Sequence, residues 1–238
     1  TPVAINLLKV SLGGAGLAAI LGLVASTDIW VRGRAGATNA VVGTSIALLM
    51  FAVPAAYLPS YLKLPRINDV TTDTATPPQF VALAKQRGRG ANPPVYPGTA
   101  AAVLQLDAYP DVRPFVIPRS ASDAFDLVRD VVHRMRWEVA AEQAPKGLGK
   151  PGTIEAVDRT PIIGFYDDIA IRIDGDQERA RIDMRSASRY GTFDLGRNAS
   201  RMRAFYRGVL ARIEGVATGD RRARRRLPRV APPLKGGK

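Results

Sequence analysis

Arg185, Arg189, Arg197 and Arg201 stand in one short run, RSASRYGTFDLGRNASR at 185–201, with Ser186, Ser188 and the corner Asp194-Leu195-Gly196. Guanidinium groups bind carboxylate or phosphate oxygens through paired N–H donors, and the free amides at a helix start favour negative charge. The run therefore offers a candidate anion site of Arg185, Arg189, Arg197, Arg201, Ser186 and Ser188, suited to a small anionic or lipid-like ligand. The same residues have an alternative, structural use. Asp194 can cap the following helix beside Gly196 and Asn198, while Asp158, Asp183 and Asp194 pair with the arginines and pin strand to helix.

Other chemistries find little material. The chain has no cysteine and a single histidine, His133, so thiolate nucleophiles, disulfides and cysteine metal sites are excluded. A serine-type triad or a multi-histidine metal site would have to be built around that one residue. His133 reads as a helix-surface residue. The carboxylates are scattered, and Asp167 and Asp168, adjacent in a strand, point to opposite faces. The residues thus assign no catalytic role, no metal and no cofactor.

The elements that must hold the arginine run follow from periodicity. Ser120 stands three residues ahead of Asp123 as a capping-box-like start, and Phe125, Val128, Val132 and Met135 then fall at helical spacing. Four alternating runs come next: WEVAAE, TIEAVDRT, DIAIRI and ARIDMRSAS. Ile169, Ile171 and Ile173 share one strand face, as do Ile182 and Met184, which predicts an antiparallel sheet with one side covered. Gly175-Asp176 reads as a hairpin connection. Alternation sends Arg181, Asp183, Arg185 and Arg189 to the face away from Ile182 and Met184. A closing helix over 198–214 carries Met202, Phe205, Tyr206, Val209, Leu210 and Ile213 at helical intervals. The expected fold class is α+β, with about four strands and two bracketing helices over 118–215.

Two apolar runs precede this domain, at about 5–27 and 39–58, each close to the roughly 20 residues that cross a bilayer. They predict a transmembrane helical hairpin over 1–62, with Trp30, Tyr57 and Tyr61 at interfacial positions and small residues at 13–16 and 43–45 allowing close packing. The second run carries Pro54 near its end. Residues 63–117 read as a proline-rich extended arm, its Tyr96, Tyr109 and Phe115 lying against something apolar. The net charge of +13 is concentrated at 216–238, a basic tail without apolar periodicity. Such a tail suits anionic headgroups or another anionic surface. Nucleic acid is disfavoured, because no aromatic-basic interleaving accompanies the charge.

The combination of Arg185, Ser186, Ser188, Arg189, Gly191, Asp194, Leu195, Gly196, Asn198 and Arg201 resembles the family catalogued as domain of unknown function 1499. The segment INDVTTD, ending at Asp73, resembles that family's other marked region, without the cysteine some members carry. The resemblance covers about 64–214 and implies a fold unit rather than a reaction. It also implies work outside the cytoplasm, hence a multi-pass protein of a bacterial inner membrane with a periplasmic domain. Two functions remain in view. One is a membrane-anchored, non-enzymatic accessory or scaffold protein, in contact with membrane lipids and docked on a larger membrane protein complex. The other is a domain that binds or processes a small anionic or lipid-like ligand, using Asp167, Asp168, Asp183 and the arginines.

Overall fold

The computed structural model describes residues 2–147, 149–160 and 164–226. Its N-terminal part is helical: α1 (Pro2–Arg32), α2 (Ala37–Leu49) and α3 (Ala52–Lys63). The stretches Asn6–Arg32 and Ala37–Lys63 are each long and apolar enough to cross a membrane, and their surfaces are mostly exposed. The apolar run expected as one span is broken at Met50 and Phe51. Pro54 has no N–H to donate to the Met50 carbonyl, so α2 ends there and a new ladder starts with Ala55 N–H donating to Phe51 O. Small residues line the α1–α2 contact. Ala15, Ala19 and Ala47 are buried, and a Cβ on Gly22 would collide with the Thr44 side chain. Gly13, Gly14 and Gly43 face open space instead.

The remaining elements form a six-stranded antiparallel sheet in the order β1-β6-β5-β4-β3, with β2 also on β6. The four long strands, β3 (Glu138–Gln143), β4 (Gly152–Arg159), β5 (Tyr166–Gly175) and β6 (Ala180–Ser188), are those the alternation predicts. Two further strands, β1 (Asp69–Thr71) and β2 (Phe115–Ile117), come from the segment read as an extended arm, which also holds α4 (Ala82–Gln86) and α5 (Thr99–Ala108). At three residues each, β1 and β2 are too short to show a period of two. They exist because the free edge of β6 offers them its backbone groups: Val70 lies against Ser186 and Val116 against Arg181.

One face of the sheet is covered by two helices. In α6 (Ala121–Arg134) the Ser120 hydroxyl accepts the Asp123 amide at 3.1 Å, and Phe125, Val128 and Val132 are buried. In α7 (Arg197–Arg226) Met202, Phe205 and Val209 are buried, and Phe205 stacks on Trp137 with ring centroids 5.8 Å apart. Both helices pack on Ile154, Ile169, Ile171, Ile173, Ile182 and Met184. The opposite face is covered too, though not by long helices. There Val157, Ala170 and Ala187 lie under Phe80 and Leu83 of the arm. The closing helix runs beyond the expected 214 to Arg226, so the first residues of the basic tail have helical backbone. Residues 227–238 of the tail lie outside the described residues.

Candidate functional site

Because successive strand residues alternate, the run 185–189 is divided by the sheet. Ser186 and Ser188 face α7, whereas Arg185 and Arg189 face the arm. The six candidate residues therefore form two sites on opposite faces, and the single anion site expected from the sequence is not assembled.

On the helix side, Arg201 is the centre. Its Nη2 lies 2.5 Å from Asp167 Oδ2, its Nε donates to Asp158 Oδ2 at 2.8 Å, and its Nη1 donates to Asn198 Oδ1 at 2.7 Å and Ser186 Oγ at 3.0 Å. Ser186 donates to Asn198 Oδ1 at 2.8 Å, and Asn198 Nδ2 donates to Ser188 Oγ at 3.3 Å. The Arg201 side chain is 4% exposed, while Arg197, whose Nε is 3.3 Å from Asp167 Oδ2, is 42% exposed. Asp194 takes no arginine among its hydrogen bonds. Its carboxylate accepts the Gly196 and Asn198 amides at 2.8 and 2.9 Å, closing the corner where Leu195 and Gly196 have φ of 55° and 79°. Burial pushes the Asp194 carboxyl above its ordinary range despite these amides. Gly196 suits the corner because its φ of 79° is one that L side chains rarely adopt, and a Cβ there would also press on Leu64 Cδ1 at 2.7 Å.

On the arm side, Arg185 is fully buried and meets Asp69 through two bonds, Nε to Oδ1 at 3.0 Å and Nη2 to Oδ2 at 2.7 Å. Two further donors reach the Pro78 and Pro94 carbonyls, and its guanidinium lies 4.4 Å from the Phe80 ring centroid. Burial raises the pKa of Asp69 against the pull of Arg185. Asp168, buried as well, is shared by two arginines: Arg87 Nε at 2.8 Å and Arg189 Nε at 2.6 Å. On each of these arginines the neighbouring Nη2 is buried with no hydrogen-bond partner in the structure, as is the Tyr96 hydroxyl, whose pKa burial pushes up to about 12.

Two further clusters hold the arm in place. Arg172 bonds Asp73 and Asp183 at 2.8 and 2.9 Å, Arg181 bonds the same two carboxylates, and Asp73 also accepts the Thr76 amide and hydroxyl. Glu155 of β4 accepts the amides of Val81, Ala82 and Leu83 at 2.9 to 3.1 Å, capping the start of α4. Of the pairings expected between strand and helix, Asp158 makes its own, and Asp183 serves the arm instead. The sequence carries partial signals for this layer: Asp69 lies in the segment INDVTTD, and strand alternation sets Asp168 on the face opposite Asp167. Arg87 and Glu155 carried no signal, because no period marks the arm that meets them.

Among the described residues no group of three His, Asp or Glu side chains is arranged to hold a metal, and His133 is exposed on α6. A surface depression lined by Arg119, Asp123, Asp126, Leu127, Asp130 and Arg212 includes none of the candidate residues.

No curated protein and no solved structure matches the chain. A match does come from the family described as "Protein of unknown function (DUF1499)", over residues 69–209, which begins at β1 and ends at Val209, a buried residue of α7. The chain belongs to that family, and the family unit is the arm and sheet domain together.

Proposed function

We propose that the protein is a membrane-anchored, non-enzymatic accessory or scaffold protein that docks on an inner-membrane protein complex, with its domain on the periplasmic side. One observation carries this reading. The ionic residues that could have served chemistry are turned inward as fasteners: Arg185 is tied to Asp69, Arg189 to Asp168, and Arg201 to Asp158 and Asp167. A catalyst needs an acid, base or nucleophile within reach of a bound substrate, whereas these groups hold an arm over a sheet. Mild-detergent purification tests the proposal. The protein should migrate with a multi-subunit membrane complex in fixed stoichiometry, and elution as a free monomer at every detergent strength would count against it.

A second reading is favoured by the unpartnered Nη2 atoms of Arg87 and Arg189. Nη2 lies on the same guanidinium edge as Nε, so both donors project beside Asp168, where an acceptor such as a small anion or a water would complete them. Phosphate or chloride raising the Tm of the parent protein, and not of Arg189→Ala, supports an anion there; no response in the parent leaves water as the acceptor.

A further inference from the structure

Helix α5 is built inside out. Its buried face carries Ala101, Ala102 and Gln105, and Gln105 is fixed by two bonds to β1: it accepts the Thr71 amide at 2.9 Å and donates to the Thr71 carbonyl at 2.6 Å. Its exposed face carries Val103, Leu104 and Leu106 at 61%, 48% and 47% exposure. A helix on a water-facing surface has the reverse arrangement, with the large apolar side chains turned to the core. Asp107 is exposed on the same face and falls between Val103 and Leu104 around the helix, so the three apolar side chains flank a single carboxylate.

The place of α5 in the fold indicates what covers it. The helix ends beside Tyr109, and the Tyr109 hydroxyl and Leu64 Cδ1 converge on Gly196, at 3.5 and 2.7 Å from where its Cβ would stand. Leu64 directly follows Lys63, the last residue of the second membrane-length stretch. Val103 is six residues from Tyr109, about 9 Å along a helix axis. The domain is also held close to that stretch, since Tyr61 of α3 packs on Phe193 with centroids 5.8 Å apart and its hydroxyl accepts a bond from Arg66 Nη2 at 2.8 Å. Lys63 and Arg66 at this junction suit anionic headgroups, and Tyr57 and Tyr61 are exposed beside them.

We infer that α5 is an interfacial helix, with Val103, Leu104 and Leu106 seated in the headgroup and upper acyl region of the bilayer that α1 to α3 cross. This rests on the reading of those helices as membrane spans. The apolar face thus trades water for lipid, and the domain is held on the membrane in one orientation rather than swinging on a tether.

The absence of cysteine allows a direct test. Full-length single-cysteine variants Val103→Cys, Leu104→Cys and Leu106→Cys are spin-labelled and reconstituted into phosphatidylcholine–phosphatidylglycerol vesicles. Leu17→Cys in α1 and Glu142→Cys in β3, at the sheet edge far from β1, serve as lipid and water references. Accessibility to dissolved oxygen and to a water-soluble nickel chelate is then compared. The α5 labels should favour oxygen several-fold over the Glu142 label. If they match Glu142 while Leu17 is lipid-exposed, α5 does not touch the bilayer and the anchor reading stands. If they are shielded from both relaxers while Leu17 is lipid-exposed, a protein covers the face and the lipid assignment is overturned. If Leu17 is itself water-accessible, the anchor reading falls and the inference with it.

Discussion

The largest fully buried side chain among the described residues is an arginine, Arg185, and the consequence is steep. Replacing it with Ala strands the Asp69 carboxylate, so Arg185→Ala should cost about 3 to 5 kcal/mol, read by thermal or urea unfolding. The double variant Asp69→Leu/Arg185→Met should recover part of that loss, since no charge is then left unpaired. Arg201→Ala should cost less than Arg185→Ala, because Asp167 and the partly exposed Asp158 keep Arg197 at 3.3 and 3.9 Å. Arg197→Ala, at 42% exposure, should cost under about 1 kcal/mol. Asp73 supplies a pH test. Burial alone would raise its pKa, but the Thr76 amide and hydroxyl and the charges of Arg172 and Arg181 outweigh burial and hold the carboxyl below its ordinary value. A carboxyl depressed in the folded state stabilises above its unfolded pKa, and that contribution is lost as pH falls from about 4 through the lower folded value. Asp73→Asn should therefore weaken the protein at neutral pH and flatten the decline in Tm over that acid window.

At the scale of elements, charge adds to the apolar contacts of Val70, Phe80, Leu83 and Ile117 in holding the arm. Glu155 binds the three amides that open α4, and Arg87 and Arg185 take carbonyls of Asn92, Pro93, Pro78 and Pro94. Glu155→Ala leaves those amides without an acceptor under the arm, a loss of about 1 to 3 kcal/mol. Hydrogen exchange should report it as faster exchange at Val81, Ala82 and Leu83, with the Ile169 and Ile171 amides of β5 unchanged. Uniform acceleration across the sheet would mean that the arm and sheet open together instead. The helix interruption at Met50 and Phe51 is another effect at this scale, produced by one proline in an uncharged run.

For the whole molecule, the arm belongs to the domain. A chain beginning at residue 118 keeps the four long strands and both covering helices, but it loses β1, β2, Asp69, Arg87 and the cover over Ala170 and Ala187. Arg185 would then lack its counter-charge, and Asp168 would keep only Arg189. Such a chain should give weak near-ultraviolet dichroism and rapid proteolysis, whereas one beginning at residue 64 should show a cooperative transition. The apolar helices carry a separate expectation: alkaline carbonate or high salt should leave the full-length protein in the membrane fraction. Recovery in the supernatant would show that α1 to α3 do not anchor it.

Local period was enough for much of this fold. The stripe from Phe125 to Val132, the alternation through Ile169 to Ile173 and Ile182 to Met184, and the Ser120 cap are patterns over neighbouring residues, and they determined α6, α7 and the four long strands in advance. Alternation also determined that Arg185 and Ser186 point apart. What it left open was which partners each face would meet. Asp69 is 116 residues from Arg185, and Arg87 is 81 from Asp168, with no repeat linking either pair. Their meeting depends on β1 adding to the edge of β6 and on the arm folding back across the sheet. Only that tertiary closure turned a run of arginines that reads as an anion site into two buried sets of ion pairs, because a guanidinium sealed between layers must find its counter-charge inside the protein.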